Sequence, residues 1–171
     1  TTSFVFTVTA ADGSTTSSYT VSVVRGLNPV VSTWKLRVNG VEVTCAAWNI
    51  NGFNYFKLRD IALALKGTPK HFNVTYNNAT RVISMISNQD YVTVGGEMVK
   101  PTTYKKCVLS NQMMMVDNRN INLTAYNVDG NNYFMLREIG ELFNFGITYD
   151  SITRYMDINT STVYIPITDP Q

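Results

Sequence analysis

The chain repeats itself. NINGFNYFKLRDIALAL at 49–65 matches NVDGNNYFMLREIGELF at 127–143, an offset of 78 residues. Identical pairs include Asn49/Asn127, Gly52/Gly130, Asn54/Asn132, Tyr55/Tyr133, Phe56/Phe134, Leu58/Leu136, Arg59/Arg137 and Ile61/Ile139. The match resumes at an offset of 73, with FNVTYNNATRVISM at 72–85 against FGITYDSITRYMDI at 145–158. The first copy therefore carries five extra residues, 66–70, after its helix. Upstream, WKLRV at 34–38 aligns with QMMMV at 112–116. Two collinear matches separated by one short insertion mark a duplicated structural unit.

Each copy reads element by element. WKLRV and EVTCAAWN alternate as strands do. Asn51-Gly52 and Asp129-Gly130 are type I′ turn dipeptides, because Asn, Asp and Gly tolerate positive φ. Tyr55-Phe56 and Tyr133-Phe134 begin the return strands. Leu58, Ile61, Ala62 and Leu65 then follow helical spacing, as do Leu136, Ile139, Gly140 and Phe143. Gly67 and Gly146 are placed to close these helices. A further hairpin follows in each copy, around Asn77-Asn78 in the first. The expected class is α+β: two tandem repeats, each a small antiparallel sheet carrying one amphipathic helix, plus an N-terminal β-hairpin. A unit of this size is small for independent stability, which favours a rigid tandem.

The hairpin is read at residues 4–24. Phe4, Phe6 and Val8 share one strand face, Tyr19, Val21 and Val23 share another, and the loop lies around Asp12-Gly13. Two strands are marginal alone in water, so the chain reads as a fragment of a longer protein. An exposed apolar hairpin face also makes a strand-exchanged dimer through residues 4–24 a candidate partner mode.

Composition narrows the functional classes. Only 15% of residues are charged and the net charge is +2, which argues against a nucleic-acid partner. Asn, Ser and Thr together fill 50 positions and take the place of the missing charge. No apolar run reaches the ~18–20 residues of a membrane span. A single His excludes multi-histidine metal catalysis, and no Ser-His-Asp set stands out. Asp60, Glu97, Glu138 and Glu141 offer carboxylates, but no spacing nominates a hydrolytic pair. The chain is read as non-enzymatic.

The stretches VNG…NINGFNYFKLRDIA…FNVTY…YVTVGGE and LTAYNVDGNNYFMLREIGELFNFGITYD resemble the stalk domain named after the N-terminal domain of copper amine oxidases. Tandem copies of it occur in extracellular proteins of Gram-positive bacteria. The resemblance covers about 34 to 165. FVFTVTA, Asp12-Gly13 and YTVSVVR are similar to the last strands of a bacterial cadherin-like β-sandwich domain. On this reading residues 1–26 end a truncated sandwich, 27–98 form stalk repeat one, 99–110 a linker and 111–168 stalk repeat two. The resemblance implies a non-catalytic stalk or spacer, secreted or cell-wall associated, whose partners are neighbouring domains of the same polypeptide, a cell-wall glycan or a surface protein. The alternative it leaves open is a carbohydrate- or peptidoglycan-binding accessory module. It does not import the oxidase chemistry. Tyr55 and Tyr133 are each followed by Phe, and His71 is the lone histidine, so neither the copper site nor the quinone cofactor can be built. No cofactor and no metal are expected.

Candidate residues follow. Arg59-Asp60 and Arg137-Glu138 open the two helices, where an acid favours the positive end of the macrodipole and an arginine fork ties down nearby oxygens. A binding pair is the competing reading, and the structural one is preferred. Tyr55 and Tyr133 belong to the same structural motif. Trp48, Phe53 and Tyr126, close to the turns, are the candidate ligand-facing aromatics for stacking on sugars. Cys45 reads as a buried apolar residue, and its pairing with Cys107 is left open. Met113 and Met115 replace the cations Lys35 and Arg37, which suggests a buried contact on that face.

Overall fold

The computed structural model describes residues 2–23 and 27–166. The proposed boundary at 26 and the end of repeat two at 168 lie outside the described residues. Among those described, strands dominate and two helices are present, an α+β-like arrangement of several small sheets.

The hairpin forms as β1 (Thr2–Thr9) and β2 (Thr16–Val23). Asp12 shapes its loop by accepting hydrogen bonds from the Ser14 and Thr15 amides, at 2.9 and 3.1 Å. Phe4 lies opposite Val21 and Phe6 opposite Tyr19, so the apolar side chains share one face, as expected. That face is uncovered, with these four side chains 50–59% exposed.

The chain continues through β3 (Val30–Val31), β4 (Lys35–Val38), β5 (Val41–Val43), β6 (Ala47–Ile50) and β7 (Phe53–Lys57), then α1 (Leu58–Ala64), β8 (Phe72–Asn77) and β9 (Val82–Ser87). It then runs β10 (Cys107–Leu109), β11 (Met113–Val116), β12 (Arg119–Ile121), β13 (Ala125–Val128), β14 (Asn131–Met135), α2 (Leu136–Phe143), β15 (Gly146–Asp150) and β16 (Tyr155–Asn159). Both turn dipeptides have the expected left-handed backbone, with φ of 54° and 92° at Asn51-Gly52 and 48° and 85° at Asp129-Gly130. The second helix closes on Asn144 in the left-handed region rather than on Gly146, which starts β15. Asn adopts that conformation at small cost because its short polar side chain bonds locally.

A six-stranded sheet in the order β10-β13-β14-β7-β6-β3 spans both halves. Its seam is the antiparallel pair β7–β14, in which Phe56 faces Phe134, Tyr55 faces Met135 and Lys57 faces Tyr133. Under the 78-residue offset, Phe56 and Phe134 are counterparts, and the two flanking pairs exchange. The outer strands correspond as well: Val30 pairs with Asn49 as Val108 pairs with Asn127. Strand β10 thus lies inside the stretch read as linker 99–110. A three-residue edge strand is too short to register as periodicity.

The expectation of one antiparallel sheet per repeat is overturned. The two four-stranded sheets, β12-β11-β9-β8 and β15-β16-β4-β5, each join strands from both halves through a parallel pair, β9–β11 and β4–β16. An isolated hairpin cannot bury its own face, and each one after a helix finds its third strand in the opposite half. Parallel pairing needs a long crossover, so nothing in local sequence announces it.

One core follows from this interlock. Ile61 of α1 and Leu65 at its C-cap, Ile139 and Phe143 of α2, the Phe56/Phe134 seam and Met85, Met114 and Met156 belong to a single buried cluster. Phe72 of the first half stacks on Phe143 of the second at 4.0 Å and an interplanar angle of 5°. Burying each such large side chain contributes roughly 1.5–3 kcal/mol. Met114 points inward as expected. Met113 is 55% exposed and Met115 only half-buried, so the buried contact expected on their face is not formed. Cys45 and Cys107 are both free thiols.

Candidate functional site

The acids that open the helices act as brackets. Asp60, fully buried in the first turn of α1, accepts the Ala46 amide at 2.7 Å and the Met98 amide at 3.0 Å. It thereby ties the helix start to the strand before it and to the segment after β9. Burial raises its carboxyl above the ordinary range, while the two amides and Lys57 pull the other way. Lys57 is itself buried, with Nζ 3.9 Å from Asp60 Oδ1 and 2.6 Å from the Gly96 carbonyl oxygen it donates to. A lysine ending an exposed-looking strand gave no sign of this role. Glu138 bonds the amide of Thr124, the counterpart of Ala46, and burial raises its carboxyl too. Its Oε2 is buried without a partner among the described residues.

The segment after β9 closes over α1 through a carboxylate. Glu97 Oε1 accepts the Tyr91 hydroxyl at 2.7 Å and the Val94 amide at 2.9 Å, and Oε2 accepts the Gly95 amide at 3.0 Å. Partial desolvation would raise this carboxyl, but the hydrogen bonds outweigh it and hold it at about 2.

Two of the three candidate ligand-facing aromatics are placed otherwise. Trp48 is only 2% exposed, packed edge-on against Tyr104 at 5.6 Å in a second cluster on the opposite face of the six-stranded sheet. Tyr126 packs edge-on against Tyr55 at 4.8 Å. Tyr55 and Tyr133 are buried in that same cluster, and burial pushes the Tyr133 hydroxyl up to about 12. The reason is strand parity. Positions 48 and 126 point to the side covered by Leu27 and Tyr104, a cover that a pattern of alternation does not reveal. Phe53 alone stays open, at 45% exposure on the turn tip.

Phe53 borders a cleft of about 450 Å³ that also draws on Trp34, Asn49, Asn54, Arg137 and Tyr149. Strand β6 supplies Asn49, the start of β7 supplies Phe53 and Asn54, the first turn of α2 supplies Arg137, and β15 supplies Tyr149. Trp34 and Tyr149 meet edge-to-face at 6.0 Å, and the Arg137 guanidinium lies 5.6 Å from the Phe53 ring centre. The turn fixes one amide and the segment after β3 fixes the other. Asn49 accepts the Gly52 amide at 3.2 Å, and Asn54 accepts the Ser32 hydroxyl at 2.7 Å.

The counterpart positions in the other half, Gln112, Asn131, Asn132, Arg59 and Tyr76, line a much smaller cavity of about 80 Å³. There Gln112 donates to the Tyr76 hydroxyl at 3.0 Å and accepts from Asn132 at 2.7 Å, which fills the space. Arg59 and Arg137 therefore line separate cavities and do not converge. His71 stands with Nδ1 3.6 Å from Asp90 Oδ1, and among the described residues no three His, Cys, Asp or Glu side chains gather as a metal site. Burial pushes the Cys45 and Cys107 thiols up, away from the reactive thiolate.

Comparisons of the chain with protein-family models, with curated proteins and with solved structures return no match. No described helix is long and apolar enough to cross a membrane.

Proposed function

We propose that this chain is a non-catalytic structural and interaction module, a stalk or spacer built from a duplicated unit, in a secreted or cell-surface multi-domain protein of Gram-positive type. Its partners on this reading are the neighbouring domains of the same polypeptide, together with a cell-wall component or surface protein that the stalk meets. The observation that carries the reading is the interlock: parallel pairs β9–β11 and β4–β16 stitch the two halves around one core. A spacer that must hold its length under load gains from having no hinge between halves. The duplicated helix-opening acids support it as well, since Asp60 is used up in holding backbone amides.

Single-molecule pulling on the whole chain tests this. Residues 27–166 are expected to unfold in one event that releases on the order of 450–500 Å of contour. Two separate events of about half that length would refute the single-stalk reading.

A further inference from the structure

The cleft beside Trp34 and Phe53 has no task in a spacer. We infer that it binds a neutral pyranose carrying an N-acetylated amino group, with the sugar on the Trp34 and Phe53 rings and the acetamido oxygen on the Asn54 side-chain amide. The inference does not rest on the stalk reading, and either one can fail alone.

The two halves supply an internal comparison. The turn networks begin alike. Asn49 and Asn127 accept the Gly52 and Gly130 amides at 3.2 and 3.1 Å, and donate to Asn54 Oδ1 and Asn132 Oδ1 at 3.5 and 3.2 Å. They part at the next donor. Asn132 Nδ2 donates to Gln112 Oε1 at 2.7 Å, and Gln112 Nε2 donates onward to the Tyr76 hydroxyl at 3.0 Å. Trp34 stands where that half has Gln112, and an indole donates one hydrogen bond and accepts none. Asn54 accepts from Ser32 and Asn49, but its own N–H groups reach no acceptor among the described residues. Where Gln112 sits, only about 80 Å³ remains, whereas the cleft beside Trp34 measures about 450 Å³. That lies inside the roughly 300–1,000 Å³ range of small-molecule sites.

The lining specifies the ligand. One half fills its cavity with a carboxamide of its own, and the other leaves the matching donor to a ligand that brings one. An acetamido group supplies the same kind of carbonyl oxygen as Gln112. Trp34 and Phe53 offer flat apolar surface, which suits the C–H faces of a pyranose ring. Asn51, on the turn, adds a side-chain amide that both donates and accepts and so matches sugar hydroxyls. The Asn54 oxygen is held by Ser32 and Asn49, so its N–H groups need little ordering on binding. A glutamine side chain carries the same carbonyl but presents no ring face to the aromatics, which favours the sugar over a peptide. Arg137 and Tyr149 complete the wall and are engaged within the protein, and no ligand contact is assigned to either.

The test titrates the whole chain with N-acetylglucosamine and N-acetylgalactosamine, in parallel with glucose and galactose, and with N-acetylglutamine amide as the peptide-like arm. Calorimetry and tryptophan fluorescence report binding. Trp34 is the half-exposed indole, whereas Trp48 is shielded. At least one acetylated sugar is expected to bind about tenfold more tightly than its unacetylated counterpart, through one added hydrogen bond. Asn54→Asp keeps an acceptor for Ser32 and removes the donor, so it should abolish that difference. Trp34→Gln copies Gln112 into the cleft and should weaken binding by about tenfold, because the protein then supplies the carboxamide and loses a ring. Phe53→Ala removes a ring at an exposed turn tip and should weaken binding by about fivefold, so it reports on the cleft even if the Trp34 variant unfolds. Absence of saturable binding at millimolar acetylated sugar would overturn the inference. So would equal affinity for the unacetylated sugars, equal or tighter binding of N-acetylglutamine amide, or binding unchanged by both Asn54→Asp and Phe53→Ala.

Discussion

Exchanging one methyl group between the two halves tests whether they are built alike. Gly140 of α2 corresponds to Ala62 of α1, and Ile147 of β15 corresponds to Val74 of β8. All four are buried. A Cβ placed on Gly140 would overlap Ile147 Cδ1 and stand 3.2 Å from its Cγ1 and 3.3 Å from Phe145 Cε2. Gly140→Ala alone gains about 0.8–1 kcal/mol of helix propensity. It also incurs an overpacking penalty of about 1–3 kcal/mol, because the core around it is full. The net is a loss of about 0–2 kcal/mol. Ile147→Val alone opens a methyl-sized gap and costs about 0.5–1.5 kcal/mol. Together the new methyl takes the space the old one left, which reproduces the Ala62–Val74 pair. The double variant is therefore expected within about 0.5 kcal/mol of the parent or above it, a coupling of about 1–3 kcal/mol. Urea denaturation of the four proteins, followed by circular dichroism, measures it. Additivity within about 0.5 kcal/mol would show that the two methyls do not compete for one space, and the correspondence between halves would fail with it.

Other outcomes follow from the same contacts. Asp60→Ala strands Lys57 and two amides, so it should cost about 3–5 kcal/mol and speed hydrogen exchange at Met98. Adding Lys57→Met, the residue found at the counterpart Met135, should recover part of that loss. Glu97, held at about 2 against 4.5 when free, contributes stability that is complete above pH 4.5 and lost as pH falls toward 2. Solvent screening keeps this below about 1 kcal/mol, and Glu97→Gln should flatten the acid limb of a Tm-against-pH curve. Asp60 has the opposite sign. Its raised value means stability declines as pH climbs from 3.8 through that value, so Asp60→Asn should remove a downward slope there. Met113→Lys copies Lys35 onto an exposed position and should leave the unfolding free energy from urea denaturation unchanged within about 0.5 kcal/mol.

Local chemistry was legible in the sequence, and remote pairing was not. Asn51-Gly52 and Asp129-Gly130 turn as their φ tolerance requires, and the helices begin where Leu58 and Leu136 set the spacing. The Phe4/Phe6 hairpin face was also readable from alternation. Alternation gives a strand two faces without saying what covers either one. Trp48 was therefore misjudged as open, and Trp34, on the cleft, was passed over as a strand residue. Lys57 was missed for a related reason. Its burial depends on Gly96, a partner 39 residues away, and a lysine shows no sign of burial without its partner in view. The interlocked sheets escaped because hydrophobic pattern identifies strands but not the partner an edge will choose.

The parallel stitching has a consequence for how the chain is made. Lys35 waits for Tyr155, 120 residues downstream, before β4 gains its second neighbour beside β5. At translation rates of about 5–20 residues per second, that is roughly 6–24 s during which the first half has emerged from the ribosome with an unfilled sheet edge. A nascent polypeptide in that condition is a natural client for holdase chaperones, and a ribosome stalled between β9 and β11 would release an unfinishable product rather than a working half.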